Sequence, residues 1–235
     1  MLTSILIATF FSIGFFVESI IGFGGGLIAY SFLGFFIDIK QAVLAGLYIG
    51  TCSSTYIAYT DFKSFNKKIL LKSAPLCLFG TITGVIIFSE FGSDLLSIIF
   101  GLLLIFLAAK LIFFDQISIP KIFKKKLLFI GGISQGAFGI GGPFFVNALK
   151  EDFKNKSELR STMAVFFVMF NLVRIVQLCL NGQIKAIHLD EIWWVIIPIF
   201  IAIKLGHKVH IKADEKIIKK IIALITVLGG IKFLL

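Results

Sequence analysis

The amino-acid sequence predicts an all-α polytopic membrane protein, and three observations predict it. The 235 residues are 58% hydrophobic and 15% charged, with a mean hydropathy of +1.01, whereas a soluble domain carries about 25% charged residues. More apolar residues than one core can hide must face lipid. The apolar residues also fall into runs of membrane length, and one glycine-rich break occurs twice, as Gly22-Phe-Gly-Gly-Gly26 and Gly139-Ile-Gly-Gly-Pro143, shifted by 117 residues. The expected architecture is two inverted repeats, each a glycine-broken re-entrant hairpin plus three spanning helices, with eight simple spans as the alternative. The first repeat is expected over 1-114, a basic cytoplasmic linker over 115-126 and the second repeat over 127-235.

A spanning helix needs about 20 mostly apolar residues, because the hydrocarbon core is ~30 Å thick and a helix rises ~1.5 Å per residue. The runs that meet this are Leu2–Phe36, Gln41–Thr60, Ser73–Ser89, Leu95–Phe114, Leu127–Leu149, Leu159–Leu180, Ile192–Gly206 and Ile217–Leu235. Lys204, Lys219 and Lys220 interrupt or flank the last two, and their long stems can snorkel to the interface. Trp193 and Trp194 sit where an interfacial aromatic pair belongs. The first run is too long for one helix. Glycine clusters favour bends, and proline removes a donor, so a helix should stop at each break. Irregular backbone at membrane depth survives only inside protein or beside a watery cavity.

Charge and motifs exclude several function classes. The formal net charge is +10, but the basic residues cluster between apolar runs, as in cytoplasmic loops, so nucleic acid is not an expected partner. Cys52, Cys77 and Cys179 lie inside apolar runs without a CxxC pair and read as packing residues. No Lys or Arg precedes Glu18 and no small-x-small cleavage site follows a short apolar stretch, so a cleaved signal peptide is not expected. His188, His207 and His210 lie in or beside loops without metal-like support. No Walker motif is present, so ATP is not expected to act directly, and no cofactor is implied.

Loop charge orients the halves. If every run crossed once, the loop with Lys208, Lys212 and Lys216 would share a side with Glu90 and Asp94. If the two broken runs dip in and return, the Lys-rich loops all fall on one face, which the positive-inside rule favours. The 117-residue shift also pairs Glu18 with Gln135, Gln41 with Glu158 and Ser54 with Asn171. A 122-residue shift relates Lys110 to Lys232 and Gly84 to Gly206. Repeated halves place a transporter's substrate site at their interface.

The candidate site residues follow, each with a bland reading beside it. Gly22, Gly24, Gly25, Gly26, Gly139, Gly141 and Gly142 can expose half-helix N-terminal amides, whose positive dipole ends hold an anion; they can equally serve close helix packing. A soluble dinucleotide fingerprint does not fit, since the flanking runs are membrane-length helices. Glu18, with Gln135 as its counterpart, is a proton-coupling candidate, because an ionisable group in the bilayer costs roughly 2.5–3.5 kcal/mol on insertion scales. The alternatives for Glu18 are a surface position or a half-helix end held by hydrogen bonding. Arg174, one turn after Asn171, can grip an oxyanion bidentately or can snorkel. Ser54, in the polar patch with Thr51, Ser53 and Thr55, can line a path or bond its own helix.

Glu18-Ser-Ile-Ile-Gly-Phe-Gly-Gly-Gly26 and Gly131-Gly-Ile-Ser-Gln-Gly-Ala-Phe-Gly-Ile-Gly-Gly-Pro143, with Pro75, Gly80-Thr-Ile-Thr-Gly84 and Gly229-Gly230-Ile-Lys232, resemble the sulfite exporter TauE/SafE family. The resemblance covers essentially the whole chain. One departure is Ala29-Tyr30, where many members carry a proline. It implies movement of sulfite, sulfonates or related small anions across the bacterial cytoplasmic membrane. The expected function is therefore a secondary transporter, with a small anion, the lipid bilayer and protons as its partners. A passive channel and a membrane-embedded enzyme or accessory subunit are the other classes; an enzyme would need a nucleophile–base or metal cluster inside the runs, and none is evident.

Overall fold

The computed structural model of the chain describes residues 1–21, 24–113, 120–183, 193–209 and 215–235. These form ten α-helices and short 3-10 turns, with no strand among the described residues. The helices are α1 (Leu2–Ile21), α2 (Gly25–Leu33), α3 (Ile39–Thr60), α4 (Lys67–Glu90), α5 (Ser93–Phe113), α6 (Lys121–Phe138), α7 (Gly142–Leu149), α8 (Lys156–Leu180), α9 (Ile196–Val209) and α10 (Glu215–Leu234). Each unbroken run holds one helix, and each glycine-broken run holds two. Helix α6 starts at Lys121, so the second part of the expected 115-126 linker is helical.

Among the described residues four helices are long and apolar enough to cross a membrane: α1 over Leu2–Ile20, α4, α5 and α8. Helix α5 shows why. Leu96, Phe100, Leu104 and Leu107 are buried on one face, while Leu95, Ile98, Leu102 and Phe106 are exposed on the other. A helix apolar all round, with one face uncovered, belongs in lipid. The chain is a multi-pass membrane protein.

Two compact units divide the residues. The first comprises Met1–Gly46, Phe91–Ile117 and Ala186–Leu235; the second comprises Leu47–Glu90 and Ser118–Lys185. Each unit therefore draws helices from both halves of the chain.

In the first unit α1 and α2 form an antiparallel hairpin. Gly14 abuts Gly25, the Phe11 ring meets Tyr30 at 5.6 Å, and the Phe10 ring stacks on Phe32 at 5.1 Å. As the residue number rises on α2 it falls on α1. Helices α5 and α10 are also antiparallel, with Ile105 against Gly230 and Phe100 edge-on to Phe233 at 5.0 Å. Helix α9 rests on α1 through Gly206, which faces the Phe16 carbonyl and Ser19.

In the second unit α4 and α6 run parallel and cross glycine to glycine. Gly80 faces Gly132, and Gly84 faces Gly136, so the backbones approach with no side chain between them. This small-xxx-small pairing replaces hydrophobic drive with van der Waals contact, which lipid cannot supply between helices. Helix α8 is parallel to α4. Thr162 accepts from the Asn66 N–H at one end, at 3.0 Å, and Asn181 donates to Ser89 at the other, at 3.1 Å. Asn155 caps α8 by accepting from the Glu158 N–H at 2.8 Å, which satisfies a first-turn donor. Helix α7 folds back along α6, with Phe144 and Phe145 against Gly131 and a ring cluster of Phe145, Phe166 and Phe170 behind it. Lys124 of α6 pairs with Glu151 and Asp152 just past α7, at 3.4 and 3.5 Å. The starts of α4, α6 and α8 and the end of α7 thus share one end of this unit.

One contact recurs in both units. Gly206 meets Phe16 and Ser19 in the first, and Gly84 meets Ile133 and Gly136 in the second. The glycines are related by the 122-residue shift, and their partners by the 117-residue shift.

Candidate functional site

The second break is built from the end of α6 and the start of α7. Gly139 has φ of +76°, and its N–H donates to the Gln135 carbonyl at 2.9 Å. This left-handed stop answers one of the carbonyls that a helix end leaves over. Ser134 reaches across the gap to donate to the Ile140 carbonyl at 3.0 Å. Pro143 stands at the first turn of α7, where a missing N–H costs nothing.

Gln135 connects the two half-helices. Its Oε1 accepts from the Gly141 N–H at 2.9 Å. Its Nε2 must then donate, and does, to Asn171 Oδ1 of α8 at 3.2 Å. One turn on, Arg174 Nε donates to the Gly136 carbonyl at 3.1 Å, which sits at the negative end of the α6 dipole. Gln135 and Asn171 are each 3% exposed and Arg174 2%. Among the described residues no acceptor meets Asn171 Nδ2 or the Gly142 N–H. A guanidinium, a carboxamide donor and a first-turn amide therefore stand on adjoining positions of one buried network. That is chemistry for a small oxyanion.

The register against α4 gives the depth. Gly136 faces Gly84, which lies seventeen residues from Lys67 and six from Glu90. At ~1.5 Å per residue this is ~25 Å from the basic end and ~9 Å from the other. The network lies within the apolar span, off its centre.

The first break has a different charge. Gly24 has φ of +95°, a conformation that disfavours any residue with a Cβ. The Gly25 N–H donates to Glu18 Oε2 at 2.8 Å, so the start of α2 is capped by a carboxylate where the start of α7 is capped by a carboxamide. Gly25 also has no room for a side chain, because a Cβ there would lie 2.6 Å from Glu18 Oε2. Gly26 follows in the first turn of α2.

The second unit thus brings Gln135, Gly139, Gly141, Gly142, Asn171 and Arg174 together, and the first brings Glu18, Gly24, Gly25 and Gly26 together. The amides of Gly25 and Gly141 are not bare, since each has a side-chain acceptor. Thr51, Ser53 and Thr55 donate to their own helix backbone, to Leu47, Gly50 and Thr51. Ser54 has no such bond among the described residues, and Asn171 Nδ2 lies 3.6 Å from where a Gly50 Cβ would stand, one turn away on α3. Gly22, His188 and His210 lie outside the described residues, as does the side chain of His207. Sequence reasoning missed the crossing of Gly80 and Gly84 with Gly132 and Gly136, although the spacing of four was a signal for it. It also missed the carbonyl of Gly136, which no side-chain pattern advertises.

The class defined here is a helical membrane protein with two glycine-broken hairpins, the second held at its tip by the buried Arg174 of α8, and the family it matches is one of transporters, not enzymes. The sulfite exporter TauE/SafE family matches residues 6–233, and the chain belongs to that family. No curated protein matches the chain, and neither does any solved structure.

Proposed function

We propose that this protein is a secondary transporter that exports a small anion, sulfite or an organosulfonate, across a bacterial cytoplasmic membrane, driven by a gradient. The observation that carries this is the Gln135–Asn171–Arg174 network at the start of α7. A charged side chain costs roughly 2.5–3.5 kcal/mol to insert and is retained for a use, and the guanidinium fork suits a small oxyanion. The anion is bound at the second break by Arg174, Asn171, Gln135 and the Gly142 amide, with Gly139 and Gly141 shaping the turn and Ser54 on the polar path beside it.

The first break plays the other part. Its own carboxylate, Glu18, already occupies the positive end of α2, so an ionised Glu18 repels a second anion there. Glu18 is the proton-coupling residue, and Gln135, its neutral counterpart, marks the break that takes the cargo; Gly24, Gly25 and Gly26 supply the turn that lets Glu18 reach α2. The recurring glycine contact and the antiparallel packing of α5 on α10 support an inverted repeat of 1-114 and 127-235. Equivalent helices related by an axis in the membrane plane must run oppositely.

The test is purified protein in liposomes, offered sulfite, methanesulfonate and acetate with and without a pH gradient. Uptake of sulfite or methanesulfonate that the gradient accelerates is the expected result. Flux that follows the anion gradient alone means a passive channel, and no flux of any of these anions sinks the transport reading.

A further inference from the structure

We propose that the basic end of the second unit is an anion-collecting mouth that speeds arrival of the cargo, an inference that rests on the transport reading above. Helices α4, α6 and α8 all begin at this end and α7 returns to it, as the Asn66–Thr162 bond and the Lys124 ion pairs show. Segments 61–72, 121–126 and 150–160, which form it, hold twelve Lys and Arg against four Asp and Glu, a net of +8 of the chain's +10. At the opposite end the last turns of α4 and α8 hold Glu90 and, among the described residues, no Lys or Arg.

Membrane topology accounts for the sign of this end but not for the arrangement of its charges. All four acids are engaged. Asp61 pairs with Arg160 at 3.5 Å, Glu151 and Asp152 pair with Lys124, and Glu158 accepts from the Asn66 side chain and, at 2.8 Å, from the Lys154 N–H. Lys67, Lys68 and Lys72 are exposed, with no carboxylate in ion-pair range among the described residues. Their field is uncancelled. The same end gathers the N-termini of α4, α6 and α8 against the C-termini of α3 and α7, so the helix dipoles nearly cancel and the side-chain charge sets the field.

Helix α4, which carries these lysines, packs along α6 and α8, which carry Gln135, Asn171 and Arg174, so the field stands at the basic end of the helices that build the deep site. This favours a free small anion over a lipid headgroup as what it attracts. The site is ~25 Å further in, about three Debye lengths at physiological salt. These lysines therefore raise the local anion concentration and leave the deep contacts alone.

The experiment measures sulfite transport from the basic face in vesicles of neutral phosphatidylcholine, at low and high ionic strength, for the parent and for Lys67→Gln/Lys68→Gln/Lys72→Gln. In the parent, KM rises ~3-fold or more with salt while kcat holds, as expected for a screened steering field. In the variant, KM is already high at low salt and nearly salt-independent, and transport from the opposite face is unchanged. A parent KM indifferent to salt overturns the proposal without any need for the variant to fold. So does a difference between parent and variant that emerges only when anionic phospholipid is added, which would assign the patch to lipid. Absence of sulfite flux in the parent removes the transport reading, and the mouth with it.

Discussion

Glu18 and Gln135 stand 117 residues apart and do similar mechanical work, since each side chain accepts an N–H where the second half-helix begins, Gly25 at the first residue of α2 and Gly141 just before α7. They differ by one ionisable proton. Glu18→Gln keeps an acceptor for the Gly25 amide, so the protein should fold as before while transport loses its response to a pH gradient. If that variant still transports with full proton dependence, Glu18 is a cap and nothing more. Gln135→Glu makes the reverse change, setting a carboxylate at the start of α7 and costing Asn171 its donor. Sulfite transport should fall at least ~10-fold, equivalent to ~1.4 kcal/mol, and Arg174→Lys should also lose rate because an ammonium cannot reproduce the guanidinium fork. Wild-type transport by Gln135→Glu would place the anion elsewhere.

At the scale of the element, backbone contact holds helix pairs together here. A Cβ on Gly136 would press into the Thr81 backbone, with the Thr81 carbonyl carbon at 2.9 Å and the Gly84 Cα at 3.0 Å. Neither neighbour can yield without separating α4 from α6. Gly136→Ala should therefore destabilise the protein by about 1–3 kcal/mol, the usual range for overpacking, seen as a lower Tm in detergent. Gly92, just before α5, has nothing within 4 Å of a Cβ position, so Gly92→Ala should stay within about 0.5 kcal/mol. Equal Tm values for the two variants would contradict the tight crossing. The short helices follow the same logic: α2 and α7 have nine and eight residues, ~14 and ~12 Å, and cannot cross ~30 Å of hydrocarbon. They persist by lying against α1 and α6.

The whole molecule carries its charge at one end of its second unit, and that fixes a topology prediction. Cys52, Cys77 and Cys179 are free thiols, so a variant without them can report single introduced cysteines. Lys125→Cys and Lys154→Cys should label from the same face, because α7 returns to the start of α6, and Glu90→Cys should label from the other. Labelling of residues 125 and 154 from opposite faces would turn the hairpin into two crossings.

Hydropathy and loop charge by themselves determined the class of protein, the number of apolar runs and the places where two of them break, because lipid exposure and glycine conformation act locally. The interruptions at Gly24 and Gly139 were legible for that reason, and their φ values of +95° and +76° are the physical cause. Only the tertiary structure decided what meets what. That Gln135 reaches Asn171, that Arg174 ends on the carbonyl of Gly136, and that each compact unit mixes helices from both halves depend on registers between distant segments. Apolar patterning leaves those registers open, since a membrane helix is greasy on every side and its partners are chosen by the close approach of small residues.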